Sequence, residues 1–209
     1  MQEILNTIDF ESIVDHPNIL IAARFWDDDR YNSARICYKF MRKIDDMIDN
    51  RKASGTVISF DEKVGLTKEV NSWINGLTKK TLIDQSKKEI ITTINNFKIP
   101  LLLFQTFARS MIYDIHNNGF KTFKDFLYYS EGASVAPASV FVHLSCLNQE
   151  NGDYVTPSFD VIEVARPCAI FSYIVHIIRD FQKDQQNNHN YFALDILKKN
   201  RLSPVDLRR

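Results

Sequence analysis

Apolar residues recur every three or four positions through most of this chain, which is the period of an α-helix. Between Asn32 and about Asn50, Cys37, Met41, Ile44 and Ile48 fall at spacings of four, three and four, a single apolar stripe that predicts one long helix. Arg51 to Phe60 contains Ser54-Gly55 and a β-branched run and reads as a connection. A second helix is expected over Asp61 to Leu77, capped by Asp61, and a third over Ile83 to Phe97. Pro100 suits the first turn of a fourth, which Asn117-Asn118-Gly119 stops.

Thr122 to Tyr129 begins another helix, continued by the small residues Gly132 to Ser139 and then Val140 to Leu147. Small side chains inside a helical pattern predict a close approach or a bend. Asn148 to Asp160 is polar, holds Gly152 and Pro157, and is expected to be a surface loop. A long helix follows to about Asp184, with Pro167 marking a kink or its start. Gln185 to Asn190 breaks it before a short element at Phe192 to Lys199. No internal repeat interrupts this order, so the expectation is an all-α fold in one domain over residues 1–209.

Composition narrows the function. Lys+Arg and Asp+Glu both number 26, so no net field draws the chain to nucleic acid, and a charged ligand must be held by a local cluster. Cys37, Cys146 and Cys168 form no CxxC pair, which argues against a disulfide framework or a zinc ribbon and favours a reducing compartment. The start, Met1-Gln2-Glu3, has no basic leader followed by an apolar run. The longest greasy segment, around Ile99 to Met111, is cut by Pro100, Gln105 and Arg109 and is too short to span a bilayer. A soluble, cytoplasmic protein is expected.

Two acidic rows stand out. Tyr38, Arg42, Asp45 and Asp49, spaced four, three and four, share one helix face beside the apolar stripe. Two carboxylates one turn apart, roughly 6 Å between side chains, repel each other and favour a bound cation. Magnesium suits them, since it sits between one or two carboxylates and substrate phosphates. The second row is Tyr173, His176, Asp180 and Asp184, on a helix apolar enough to be mostly buried, with Arg179 and Lys183 beside it. For each row alone the plain alternative is a solvated helix face with local ion pairs. Their conjunction in one small helical domain points to a site.

Tyr38-Lys-Phe-Met-Arg42-Lys-Ile-Asp45-Asp46-Met-Ile-Asp49 resembles the first aspartate-rich motif of the squalene/phytoene synthase family. Tyr129-Ser-Glu-Gly132-Ala-Ser-Val resembles the family's tyrosine-bearing, small-residue helix, and Arg179-Asp180-Phe-Gln-Lys-Asp184 its second motif. The likeness runs from about residue 20 to the end, with Phe97 to Pro100 and Asp114 to Phe123 included. It implies an isoprenoid-synthase-type helical bundle around a central cavity. It also implies magnesium-dependent head-to-head condensation of two prenyl diphosphates, such as farnesyl or geranylgeranyl diphosphate, with release of diphosphate.

By that resemblance Asp45 and Asp49 would ligate metal at one diphosphate, and Asp180 and Asp184 at the other, with His176 where the family usually has Asn. Arg42 and Arg179 would bind phosphate oxygens, and Tyr38 and Tyr129 would line the reacting centre. Tyr173 replaces a customary Gln, and His189 stands where an Arg commonly precedes the tyrosine represented by Tyr191. The chain stops at Arg209, where family members usually continue through further helices. An apolar product would favour peripheral membrane contact, and no nicotinamide motif is visible.

Other readings stay open at this level: a silent family member that binds an isoprenoid or a protein partner, or a related terpene cyclase or head-to-tail synthase. His16, His116 and His143 lack zinc-like spacing and read as solvated or core-packed. Arg109 either reaches the cavity or pairs with Asp114. Trp26 and Trp73 read as packing residues without basic neighbours.

Overall fold

In the computed structural model, residues 18–78, 85–187 and 189–208 are described. The expectations at Met1 to Glu3, at His16 and at the start of the third predicted helix, Ile83, lie outside them. The helices are α1 (Asn18–Ala23), α2 (Asp28–Ala53), α3 (Phe60–Thr78), α4 (Gln85–Asn96), α5 (Leu101–His116) and α6 (Phe123–Ser130). A π-helical segment, Glu131–Val135, leads into α7 (Ala136–Ser145), and α8 (Val161–Arg179), α9 (Phe181–Gln186), α10 (Leu194–Lys199) and a 3-10 turn at Asp206–Arg208 follow. The fold is all-α, as the periodicity predicts.

The long helix starts earlier than its stripe predicts because Asp27 caps it, the carboxylate accepting the Arg30 N–H at 2.9 Å. Its buried face carries Ala34, Cys37, Met41, Ile44 and Ile48, the last two 1% exposed, each worth roughly 1.5–3 kcal/mol of burial. For α3 the cap is Ser59 rather than Asp61: Ser59 Oγ accepts the Glu62 N–H while the Glu62 carboxylate accepts the Ser59 N–H. That reciprocal pair is a capping box. Thr122 and Asp125 form a second one at α6.

α5 is the central post, touching α2, α3, α6, α7 and the π segment, and its Leu103, Phe104, Met111 and Ile115 are all but fully buried. Gly132 explains how the π segment lies so close. A Cβ there would stand 2.3 Å from the Thr106 carbonyl oxygen and 2.2 Å from Ser110 Oγ, so only a hydrogen fits. The small-residue stretch thus marks a close approach, and the wider π turn accompanies it.

Two expectations change. The polar stretch 148–160 contains a small antiparallel hairpin, Asn148–Glu150 with Asp153–Val155 (β1 and β2), turned by Asn151 and Gly152 at φ 52° and 89°. An Asn-Gly pair with both φ positive is the hairpin turn that matches strand twist. Second, the long helix runs through Pro167 but ends at Arg179, so Asp180 and Asp184 do not share one continuous helix.

α8 is also not mostly buried. Val164, Phe171, Val175 and Ile178 are 55%, 70%, 44% and 63% exposed, while Val161, Ala165, Ala169 and Ile177 pack inward. This helix, with a mean hydropathy of 1.6, rather than the 99–111 stretch, is the one long and apolar enough by composition to cross a membrane among the described residues. Its inner face nevertheless packs on α7 and the π segment.

Candidate active site

The α2 row forms as its spacing dictates, and its members engage one another. Arg42 Nη1 donates to Asp45 Oδ2 at 2.9 Å, and Nη2 pairs with Asp46 Oδ1 at 2.8 Å. Asp45 and Asp49 each keep about 30% of their side-chain surface open to solvent. Burial holds both carboxyls above the usual range, and Asp49 one turn on raises Asp45 further against the opposing pull of Arg42. A site that resists its own negative charge has room for a cation.

Lys52 continues the same row, three residues after Asp49, and its Nζ meets Asp114 Oδ1 at 2.5 Å. The pair is nearly enclosed, with side chains 9% and 14% exposed. Asp114 comes from α5 and also raises Asp49. Neither residue belongs to the predicted set. The signal for Lys52 was the spacing 38, 42, 45, 49, 52, which stays on one face.

Below the carboxylates lie aromatic rings. Tyr129, 3% exposed, stands 5.8 Å from Tyr113 and 5.1 Å from Phe120 between ring centroids, and Tyr173 stands 6.0 Å from Tyr191. Burial pushes the phenols of Tyr129, Tyr173 and Tyr191 far above their ordinary range, and Asp114 and Asp45 add to it in all three. The three phenols therefore lie within electrostatic reach of the acidic cluster. Tyr38 is half-buried on the α2 side of it.

The second row splits. Asp180 caps α8, its N–H donating to the His176 carbonyl at 2.8 Å, and its carboxylate accepts both Arg179 Nε at 2.8 Å and Nη2 at 2.7 Å. That clamp, more than any other influence, holds Asp180 below the usual carboxylate range. His176 is exposed. Tyr173 and Asp184 turn the other way: burial lifts Asp184 to about 6, and Asp49 contributes. The break at Asp180 sets Asp184 on a separate helix, whereas Tyr173 and His176 differ within α8 itself, because a spacing of three leaves them about 60° apart around the helix.

His189 links the two halves. Its N–H donates to the Asp184 carbonyl at 2.8 Å, and its Nε2 lies 3.9 Å from Asp49 Oδ1 with no hydrogen-bond partner. A narrow cleft bounded by Lys52, Asp114, Phe120, His189 and Tyr191 marks this junction. It shares Lys52, Gly119 and Phe120 with a cavity of about 750 Å³ that reaches Tyr113, Asp125 and Leu194. None of Asp45, Asp49, Asp180 or Asp184 lines that larger cavity.

For magnesium, both rows supply carboxylates, and in each an arginine already pairs with one of them, Arg42 with Asp45 and Arg179 with Asp180. Among the described residues no group of three or more His, Cys, Asp or Glu side chains converges on one metal position. Asp45 and Asp49 still offer the one or two carboxylates that this ion takes when phosphates and water complete its shell. Asp180 is committed to Arg179, which leaves Asp184 as the acidic group of the second row that looks into the site.

His143 is 2% exposed, with Nε2 2.8 Å from the Phe97 carbonyl, and His116 Nε2 meets Thr67 Oγ1 at 2.9 Å, so both are structural. Arg109 lies over the Tyr128 ring at 5.1 Å and does not pair with Asp114. The three cysteines are free. Trp73 packs against the core beside Phe40 as expected, but it has a basic neighbour, Lys43, whose Nζ sits 4.3 Å from its ring centroid.

The chain thus folds as an all-α bundle with an aspartate row close to a group of buried and partly buried tyrosines. Residues 16–209 match the squalene/phytoene synthase family, and the chain belongs to that family. No curated protein matches it. Among solved structures, a dehydrosqualene synthase crystallised with a ligand superposes with a TM-score of 0.70 at 16% identity, covering 95% of this chain. At that identity the likeness concerns fold. The chain spans 64% of that protein's length.

Proposed function

We propose that this chain is a prenyltransferase of the squalene/phytoene synthase type, joining two prenyl diphosphates head to head with loss of diphosphate. The observation that carries the proposal is the Asp45–Asp49 pair, two carboxyls raised by burial and lying within electrostatic reach of the buried Tyr129 and the partly buried Tyr173 and Tyr191. Magnesium held there by Asp45 and Asp49 would neutralise diphosphate charge as it leaves. Arg42 supplies a fixed positive charge beside the pair, and Lys52 a second one at its far end. Tyr129, Tyr173 and Tyr191, with Phe120 and Phe126, present aromatic faces that exclude water and favour cationic carbon. Tyr38 closes the wall on the α2 side.

The test is incubation of the protein with farnesyl or geranylgeranyl diphosphate and magnesium while following diphosphate release. Magnesium-dependent release with a head-to-head product supports the proposal, and its absence contradicts it. A second reading has one specific observation behind it. Arg179 closes on Asp180 in a two-point clamp, which withdraws half of the second motif from the site. A family member that binds an isoprenoid diphosphate without turning it over would show that pattern, and saturable binding without release would distinguish it.

A further inference from the structure

The α2 helix carries seven Arg and Lys side chains, and they divide sharply. Arg30, Arg42, Arg51 and Lys52 each have a carboxylate partner, at Asp27, Asp45 with Asp46, Glu62 and Asp114. Arg35, Lys39 and Lys43 have none among the described residues. Those three recur at every fourth position, so they stack along one line of the helix. In a chain whose charges otherwise balance, an unneutralised line of this kind is a local positive field.

The line borders a cleft of about 490 Å³ between α2, α3 and α4, to which Lys87 adds a fourth cation against the single acid Glu89. The floor is apolar. Phe40 and Trp73 meet with ring centroids 6.0 Å apart, Ile90 is fully buried, and Lys43 lies across the Trp73 face at 4.3 Å. Ordinary solvated lysines stand on convex surface; these converge over a concave aromatic base. Lys43 takes the π face of Trp73 and has no carboxylate partner among the described residues.

This cleft is separate from the aspartate site. At roughly 100° per residue, Lys39 and Lys43 stand about a third of a turn around α2 from Asp45 and Asp49. Its other walls are α3 and α4, whereas the aspartate site is closed by α5, α8 and the segment at His189. We propose that the Arg35, Lys39, Lys43 and Lys87 cleft is a second anion site, which takes a phosphate or diphosphate group carried on an apolar body. The cations hold the phosphate oxygens, and Trp73 and Phe40 receive the adjoining apolar part.

Two sources can supply that chemistry, a soluble diphosphate or the headgroups of an anionic membrane, and the experiment separates them. Binding of inorganic diphosphate is measured by calorimetry without divalent cation. Co-sedimentation is measured with phosphatidylglycerol vesicles, using phosphatidylcholine vesicles as the neutral control. The variants are Lys39→Gln/Lys43→Gln and, as a charge-matched control outside the cleft, Lys198→Gln/Lys199→Gln. Circular dichroism checks helical content, and Arg35→Gln alone serves as a milder variant where the double one disturbs folding.

The expected result is that the cleft variant weakens binding of one probe by roughly tenfold or more while the control pair leaves it unchanged. Loss confined to diphosphate assigns a soluble ligand, and loss confined to phosphatidylglycerol assigns a membrane. Absence of binding to either probe, or an equal loss in both variants, overturns the proposal.

Discussion

His189 Nε2 lies 3.9 Å from Asp49 Oδ1, across the junction between the segment that follows α9 and the long helix α2. The same residue holds the Asp184 carbonyl through its backbone, so one short stretch of chain ties the retained half of the second acidic row to the first. Asp49, Asp184 and Asp45 are all raised by burial, and each feels another acid of the group. The cluster is therefore a concentration of carboxyls whose charged forms the fold disfavours.

A pH dependence follows, and Asp184 gives its window. Its folded value near 6 exceeds the unfolded value of about 3.8, so protonation is favoured in the folded state. Stability from this group is fully present below about pH 3.8 and is lost as pH rises through about 6. Asp184→Asn should melt at the wild-type temperature near pH 3.5 and a few degrees higher at pH 7 in the absence of divalent cation, roughly the scale of 1 kcal/mol in a domain of this size. Thermal melts at the two pH values check it, and a variant less stable at pH 7 would reverse the sign.

The enclosed Lys52–Asp114 pair predicts an asymmetric response. Lys52→Met leaves Asp114 buried beside Asp49 without its cation, which should cost about 3 kcal/mol. Lys52→Met/Asp114→Leu removes both charges and should recover most of that loss. Urea unfolding of wild type, Lys52→Met, Asp114→Leu and the double variant measures the coupling. Additive losses would show that the two side chains act independently.

Gly132→Ala tests the packing of the π segment on α5. The added methyl group meets the Thr106 backbone oxygen and the Ser110 side chain, which itself donates to the Tyr129 carbonyl at 2.8 Å. Destabilisation of about 2 kcal/mol or more is expected, as for other overpacked core positions. A neutral change would mean that the π turn relaxes without strain.

The fold was largely legible because apolar periodicity reports burial directly, and the Cys37 to Ile48 stripe is buried as its spacing predicts. Periodicity could not locate the end of α8, since Asp180 to Asp184 continues the helical pattern although the backbone turns at Asp180. It also misjudged the outer face of α8, where Phe171 and Ile178 are apolar yet exposed, because hydrophobicity alone cannot say which neighbours are present. At the site, the α2 row was readable from spacing within one helix. Lys52–Asp114 and His189–Asp49 join residues 62 and 140 positions apart, and such pairings need the tertiary structure.

The central claim is that Asp45 and Asp49, rather than Asp180, hold the magnesium-bound diphosphate. It is tested most directly by the melting temperature of wild type, Asp45→Asn and Asp180→Asn with magnesium and inorganic diphosphate together, against each component alone. The account predicts that the pair raises the wild-type midpoint by several degrees, that Asp180→Asn keeps most of this rise, and that Asp45→Asn loses it. A full rise in Asp45→Asn, with loss in Asp180→Asn, would contradict it.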